Sequence, residues 1–78
     1  PNPFNPTSVI SYQLPASGLV TLKVFDALGR EVAVLVDQHQ AAGSYEIPFN
    51  AYGLASGIYM YRLEVDSYSI TKKMMLLK

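Results

Sequence analysis

Residues 58–65 read Ile58-Tyr59-Met60-Tyr61-Arg62-Leu63-Glu64-Val65 and form the most regular stretch of the chain. Large apolar side chains occupy every odd-numbered position, and the charged side chains Arg62 and Glu64 occupy even-numbered ones. Successive side chains of a β-strand point to opposite faces of its sheet, so this alternation predicts a strand with one buried face. The fold is therefore expected to be built on β-strands.

The chain continues through a predicted turn at Asp66-Ser67 into a last strand at 69–78. Most domains end in loose polar residues, but this chain ends in four large apolar side chains between lysines. These final residues are Lys72, Lys73, Met74, Met75, Leu76, Leu77 and Lys78. We expect the terminus to be built into the fold and to contact another protein. Lys72 has the parity of the apolar Ile70, which predicts either a bulge near Lys72-Lys73 or an exposed edge.

Four more strands are predicted upstream, at about 9–14, 18–25, 31–36 and 44–49. The third is apolar on both faces, so we expect it to be central in its sheet and to be followed by a polar connection at 37–43. Pro48 has no backbone N–H, which places the fourth strand at an edge or a bulge. Asp26-Ala27-Leu28-Gly29 fits a type I turn, with Asp first and Gly last, and 50–57 is predicted to be a loop.

The chain begins Pro1-Asn2-Pro3-Phe4-Asn5-Pro6, and proline fixes φ and removes a backbone donor. We expect residues 1–6 to form an extended lead-in with Phe4 against the domain. The 78 residues make one domain, 1–78. No helical pattern is found. Short strands separated by turns predict an all-β fold, a small antiparallel immunoglobulin-like β-sandwich of six to seven strands without the Cys-Trp-Cys core.

Composition excludes several classes of partner. Six basic residues balance six acidic ones, with no block of like charge, which argues against a nucleic-acid surface or a polybasic membrane patch. No apolar run approaches the roughly 20 residues of a membrane span, so no membrane insertion is expected. The absence of an initiator Met and of a signal peptide suggests a piece of a longer chain. Cysteine is absent, which does not identify the compartment.

No arrangement of residues predicts catalysis, a cofactor or a metal site. His39 is the only histidine and lies between glutamines, which is typical of a solvated residue. No G-x-S-x-G element is present. Asp26, Asp37 and Asp66 fall at predicted strand ends, where Asp favours turns, and none belongs to a calcium-loop pattern. We therefore expect a protein that is not an enzyme.

The six tyrosines allow a second interpretation, a carbohydrate-binding module, because exposed aromatic rings stack on sugars. Four of them have the parity of buried positions and are expected to fill the core: Tyr12, Tyr45, Tyr59 and Tyr61. Only Tyr52 and Tyr68 are left as candidates for a ligand surface.

Six motifs occur in order along the chain: residues 1–6, Ile10-Ser11-Tyr12-Gln13-Leu14-Pro15, Val24-Phe25-Asp26-Ala27-Leu28-Gly29-Arg30-Glu31-Val32, Ala42-Gly43, Leu54-Ala55-Ser56-Gly57-Ile58-Tyr59 and Lys73-Met74-Met75-Leu76-Leu77-Lys78. With them the chain closely resembles the type A C-terminal sorting domain of the type IX secretion system of Bacteroidota and related bacteria. The resemblance covers essentially all 78 residues.

The resemblance implies a role in export. Such a domain follows an N-terminal cargo domain, is recognised in the periplasm, passes through the outer-membrane translocon and is typically removed by a sortase-like peptidase. The cargo is then attached at the surface or released. The family's S-G-x-Y element corresponds to Gly57 and Tyr59, and its terminal element corresponds to 73–78. Asp26, Gly29 and Arg30 belong to the D-x-x-G-R turn.

Besides the carbohydrate-binding module, a structural module of a related family is an alternative function. The immunoglobulin-like domain of the flagellar hook-capping protein has a similar proline-rich start, D-x-x-G-R turn and S-G-x-Y strand. It usually carries a tryptophan- and aspartate-rich loop where this chain has Phe49-Asn50-Ala51-Tyr52-Gly53. In addition, a terminal edge strand is able to pair two copies of the chain by strand addition, which would form a strand-mediated homodimer.

Overall fold

The computed structural model describes residues 7–77, which form six β-strands and no helix. The strands are β1 (Thr7–Leu14), β2 (Gly18–Asp26), β3 (Glu31–Gln40), β4 (Gly43–Asn50), β5 (Gly57–Val65) and β6 (Tyr68–Leu76). The all-β prediction is confirmed, and β1 ends immediately before Pro15 as expected. The predicted extended lead-in at 1–6, including Phe4, and the terminal Lys78 lie outside the described residues.

The strands form two antiparallel sheets, one of two strands in the order β1-β4 and one of four strands in the order β3-β2-β5-β6. An immunoglobulin sandwich pairs strand B with E in one sheet and orders C′, C, F and G in the other. The present order corresponds to B-E and C′-C-F-G, which confirms an immunoglobulin-like arrangement of six strands. Within residues 7–77 no strand occupies the positions of A and D.

The core lies between the inner faces of the two sheets. Val20, Leu22 and Val24 of β2 are fully buried, because β2 is flanked by β3 and β5 and covered by the smaller sheet. That sheet contributes Ile10, Leu14 and Phe49 to the same cluster. The four tyrosines predicted to fill the core all do so: one is buried, and the other three are half-buried and packed against the cluster.

The prediction of a central third strand is wrong, because β3 is an edge strand that pairs with β2 alone among the described residues. Its register against β2 shifts twice, after Leu22 and after Val24. Each bulge shifts the alternation by one residue, so even-numbered positions face the core in one part of β3 and odd-numbered positions in another. Apolar side chains are therefore found at both even and odd positions. The predicted connection at 37–43 is also wrong in part, since β3 continues to Gln40 and pairs it with Gly18.

A hydrogen bond connects the two sheets at the far end of β3. The Tyr12 hydroxyl of β1 donates to Gln40 Oε1 over 2.6 Å, and Gln40 is buried. The Tyr12 ring stacks on Tyr45, its cross-strand partner in β4, with centroids 5.3 Å apart. Burial raises the pKa of Tyr12.

Candidate functional site

The terminal strand β6 lies at one edge of the four-stranded sheet and pairs with β5 without a register shift. Its side chains therefore alternate strictly between the two faces. Met74 and Leu76 point inward, and Leu76 is only 3% exposed because it belongs to the core. Lys73, Met75 and Leu77 are exposed on the other parity, Met75 at 59% and Leu77 at 78%. The strand is thus half core and half surface.

The position of Lys72 decides between the two predictions made for it. The register through Tyr61↔Lys72 and Met60↔Lys73 is continuous, so the expected bulge is absent and the exposed-edge prediction is confirmed. Lys72 has inward parity but is exposed. It lies at the rim of a groove of about 190 Å³ between β1 and β6, which Tyr12 and Tyr61 also line. No strand covers the inner face of β6 there among residues 7–77, so the ammonium group stays in water.

The Asp26-Gly29-Arg30 motif builds the hairpin between β2 and β3. The Gly29 N–H donates to the Asp26 carbonyl over 2.9 Å, and Gly29 has a φ of 84°, which a type I turn followed by a bulge requires. The Asp26 carboxylate accepts the backbone N–H groups of Leu28 and Arg30, each over 2.9 Å. The Arg30 guanidinium donates to it over 2.8 Å. The predicted turn is confirmed, and the motif is explained by folding.

Hydrogen bonding also sets the charge state of Asp26. Acceptance of the Arg30 backbone N–H is the main reason that the pKa of Asp26 is lowered, and the Arg30 side chain and the Leu28 N–H act in the same direction. Hydrogen bonds to the ionised form of a carboxyl favour that form. The turn is consequently built around a carboxylate, and its stability depends on that carboxylate remaining ionised.

The Gly57-x-Tyr59 element forms a second structural device at the start of β5. The Tyr59 ring is 7% exposed, and its hydroxyl donates to the Ala55 carbonyl four residues upstream over 2.7 Å. Immunoglobulin-like domains contain this arrangement, a tyrosine corner, where strand F begins. β5 occupies the position of F. Gly57 has a φ of 150°, which disfavours any residue with a Cβ. The motif therefore fixes the entry into β5.

The outer face of the four-stranded sheet holds an arrangement that sequence reasoning missed. The Arg62 guanidinium carbon lies 4.7 Å from the centroid of the Phe25 ring. Cations are attracted to aromatic faces at this separation. Arg62 Nε is buried without a hydrogen-bond acceptor among the described residues, and Glu64 Oε2 is 3.9 Å away. The sequence did contain a signal for this contact. If β2 and β5 had been predicted to be neighbours, the alternation of buried and exposed positions in each strand would have placed Phe25 on the same outer face as Arg62.

The other candidate residues do not form a site. Tyr52 and Tyr68 are exposed as predicted, but Tyr52 precedes β5 and Tyr68 follows it, which separates them by about 26 Å of strand. His39 is exposed on β3. Within residues 7–77 no three His, Cys, Asp or Glu side chains are grouped closely enough to hold a metal ion. The same residues contain no helix that is long and apolar enough to cross a membrane.

The fold and these surfaces define an immunoglobulin-like β-sandwich module whose terminal strand is amphipathic and half exposed. Comparison with protein families matches residues 1–77 to the family described as the secretion system C-terminal sorting domain. The chain belongs to this family, whose members are sorting signals of type IX secretion. Membership implies export of a fused N-terminal cargo to the cell surface or the medium. No curated protein and no solved structure matches the chain significantly.

Proposed function

We propose that this domain directs a fused cargo through the outer membrane by the type IX translocon, and that the outward face of β6 is the surface that the machinery contacts. The proposal is supported by the way in which the side chains of residues 73–77 are divided between the core and the surface. Leu76 is fixed in the core, while Lys73 and Met75 of β6, and Leu77 just after it, are exposed to solvent on an edge strand that pairs only with β5 among residues 7–77. We therefore assign contact with the export machinery to these three of the predicted recognition residues.

The domain acts as a substrate of the export machinery and not as a catalyst. Its motifs at Asp26 and at Tyr59 are occupied by internal hydrogen bonds that form turns. After passage through the outer membrane, a sortase-like peptidase removes the domain near or upstream of residues 1–6. Within residues 7–77 no strand pairs with the outer edge of β6, so a second copy is able to pair there, and a homodimer in solution is part of the proposal.

The structure suggests which variants test the contact surface. Deleting residues 74–78 would remove Leu76 from the core, so loss of export would not separate unfolding from lost recognition. We would instead replace Met75 and Leu77 with Ser in a fusion of signal peptide, fluorescent reporter and residues 1–78. Val9→Ser is a matched control, because Val9 is exposed to the same extent as Met75, at 59%, but lies on β1.

The expected result is export of the unchanged fusion and of Val9→Ser, and retention of the double variant in the periplasm in folded form. Export of the double variant at the rate of the unchanged fusion would show that the outward face of β6 is not the surface that the machinery contacts. Retention of the unchanged fusion in a bacterium with an active type IX system would contradict the sorting function itself.

A further inference from the structure

The outer face of the four-stranded sheet carries an apolar area beside two cations. The register places Phe25 opposite Met60 and Met60 opposite Lys73. One row further toward the turn between β2 and β3, Ile58 lies opposite Met75, and both side chains are exposed. Together with Arg62 these side chains form one surface, here called the outer patch: Phe25, Ile58, Met60, Arg62, Lys73 and Met75.

A recess beside the outer patch contains two side-chain hydrogen-bond donors, Arg62 and Thr71. Phe25, Gly29, Met60, Arg62 and Thr71 enclose about 230 Å³. Arg62 is directly opposite Thr71 on β6, so the guanidinium and the hydroxyl face the same recess. The guanidinium carbon lies over the Phe25 ring, and Arg62 Nε has no hydrogen-bond acceptor among residues 7–77. The recess is suited to a group that accepts several hydrogen bonds.

The charges of the outer face are distributed unevenly. Glu31 is 3.6 Å from Lys23, whereas Glu64 accepts a hydrogen bond from Thr21 over 3.5 Å and its Oε2 lies 3.9 Å from Arg62 Nε. Lys73 has no salt-bridge partner within the described part of the chain. It lies diagonally from Arg62 across β5 and β6, a separation at which long side chains reach each other. Arg62 thus has one carboxylate beside it, and Lys73 supplies the uncompensated positive charge of the outer patch in a chain with a net charge of zero.

We infer that the outer patch binds a protein segment that presents a carboxylate side chain flanked by apolar residues. The carboxylate enters the recess and accepts hydrogen bonds from Arg62, Thr71 and Lys73, while the flanking apolar side chains cover Ile58 and Met75. This inference rests on the proposed function and specifies the chemistry of the partner at the face of β6. Guanidinium groups are well matched to carboxylates, because their donors lie in one plane.

A protein partner fits the outer patch better than an anionic membrane does. Electrostatic binding to lipid headgroups relies on clusters of about four to eight Lys or Arg side chains, and the outer patch contains two cations. One of them is fixed over an aromatic ring beside a recess of limited size, an arrangement that selects a single carboxylate.

The test uses the exported fusion and two neighbouring lysines. Lys73→Glu reverses the charge on the outer patch, and Lys72→Glu makes the same change on the opposite face of the same strand. We expect Lys73→Glu to lower the rate of export about tenfold, the typical consequence of losing a hydrogen bond to a charged group. Lys73→Arg keeps the positive charge and should be exported at the rate of the unchanged fusion. Lys72→Glu should stay within about twofold of the unchanged rate. Urea unfolding of each variant verifies that the domain remains folded.

Equal export of folded Lys73→Glu and the unchanged fusion would overturn the inference and leave the sorting function intact. Failure of the unchanged fusion to be exported would instead overturn the proposed function. A photo-crosslinking residue at position 75 tests direct contact, with position 69 as control on the same face and strand. An adduct with a protein from 75 but not from 69 supports the inference. Lys73-dependent binding of the domain to vesicles of anionic phospholipid, without an adduct, would replace it with a membrane contact.

Discussion

The tyrosine corner allows the sharpest prediction about stability. Tyr59→Ala removes a ring that is 7% exposed, together with its hydrogen bond to the Ala55 carbonyl. Large-to-small substitutions of buried aromatic residues cost about 3–5 kcal/mol. Tyr59→Phe removes only the hydroxyl, and Ala55 is exposed, so water replaces the lost donor. That variant should cost about 1 kcal/mol, the typical net contribution of one hydrogen bond.

The assay is equilibrium unfolding by urea and by heat, followed by tyrosine fluorescence and far-UV circular dichroism. A domain of this size loses about 4–8 °C of Tm for each kcal/mol, so Tyr59→Ala should lower Tm by more than about 12 °C and Tyr59→Phe by about 4–8 °C. The m-value should stay constant, because the surface exposed on unfolding is nearly unchanged.

Tyr52→Ala is the matched control, since it deletes the same ring at a position that is 78% exposed. It should change the free energy of unfolding by less than about 0.5 kcal/mol. The cost of the cavity is several times larger than about 1 kcal/mol. If the free energy of unfolding of Tyr59→Ala lies within about 1 kcal/mol of the unchanged domain, Tyr59 is not a core residue.

Three further predictions concern the turn and the link between sheets. The lowered pKa of Asp26 contributes stability above the ordinary carboxyl pKa, and this is lost as pH falls through the lower folded value; urea unfolding between about pH 2 and 5 should therefore show a shallower acid loss in Asp26→Asn than in the unchanged domain. Gly29→Ala should cost about 1–2 kcal/mol because φ is 84°, and Gly29→Asn should cost less; equal costs in thermal melts would argue against a backbone origin. Tyr12→Phe deprives buried Gln40 of its donor and should cost about 1–3 kcal/mol, whereas an unchanged melting curve would show that water replaces the hydroxyl.

Regular alternation made the central part of the fold predictable. β2 and β5 alternate over their whole length because one face of each is buried, and their bounds were predicted to within about one residue. The Asp26 turn was also predictable, since its geometry is set by local hydrogen bonds and by one glycine. Local rules sufficed wherever the decisive contacts were local.

The errors arose where contacts between distant residues decide the structure. Apolar residues at both parities of β3 resemble a central strand, but here they result from two register shifts against β2. The polar end of β3 is retained in the sheet by pairing with β2, and Gln40 is accommodated by Tyr12 of the other sheet. The outer patch depends likewise on which strands are neighbours, which no single strand reveals.

The measurement that tests the central claim most directly is the location of a reporter fused to residues 1–78 behind a signal peptide. It is compared between a bacterium with an active type IX system and a translocon-deficient strain of the same bacterium. We expect reporter at the cell surface or in the medium of the active strain, and only in the periplasm of the deficient strain. Folded reporter retained in the periplasm of both strains would contradict this expectation.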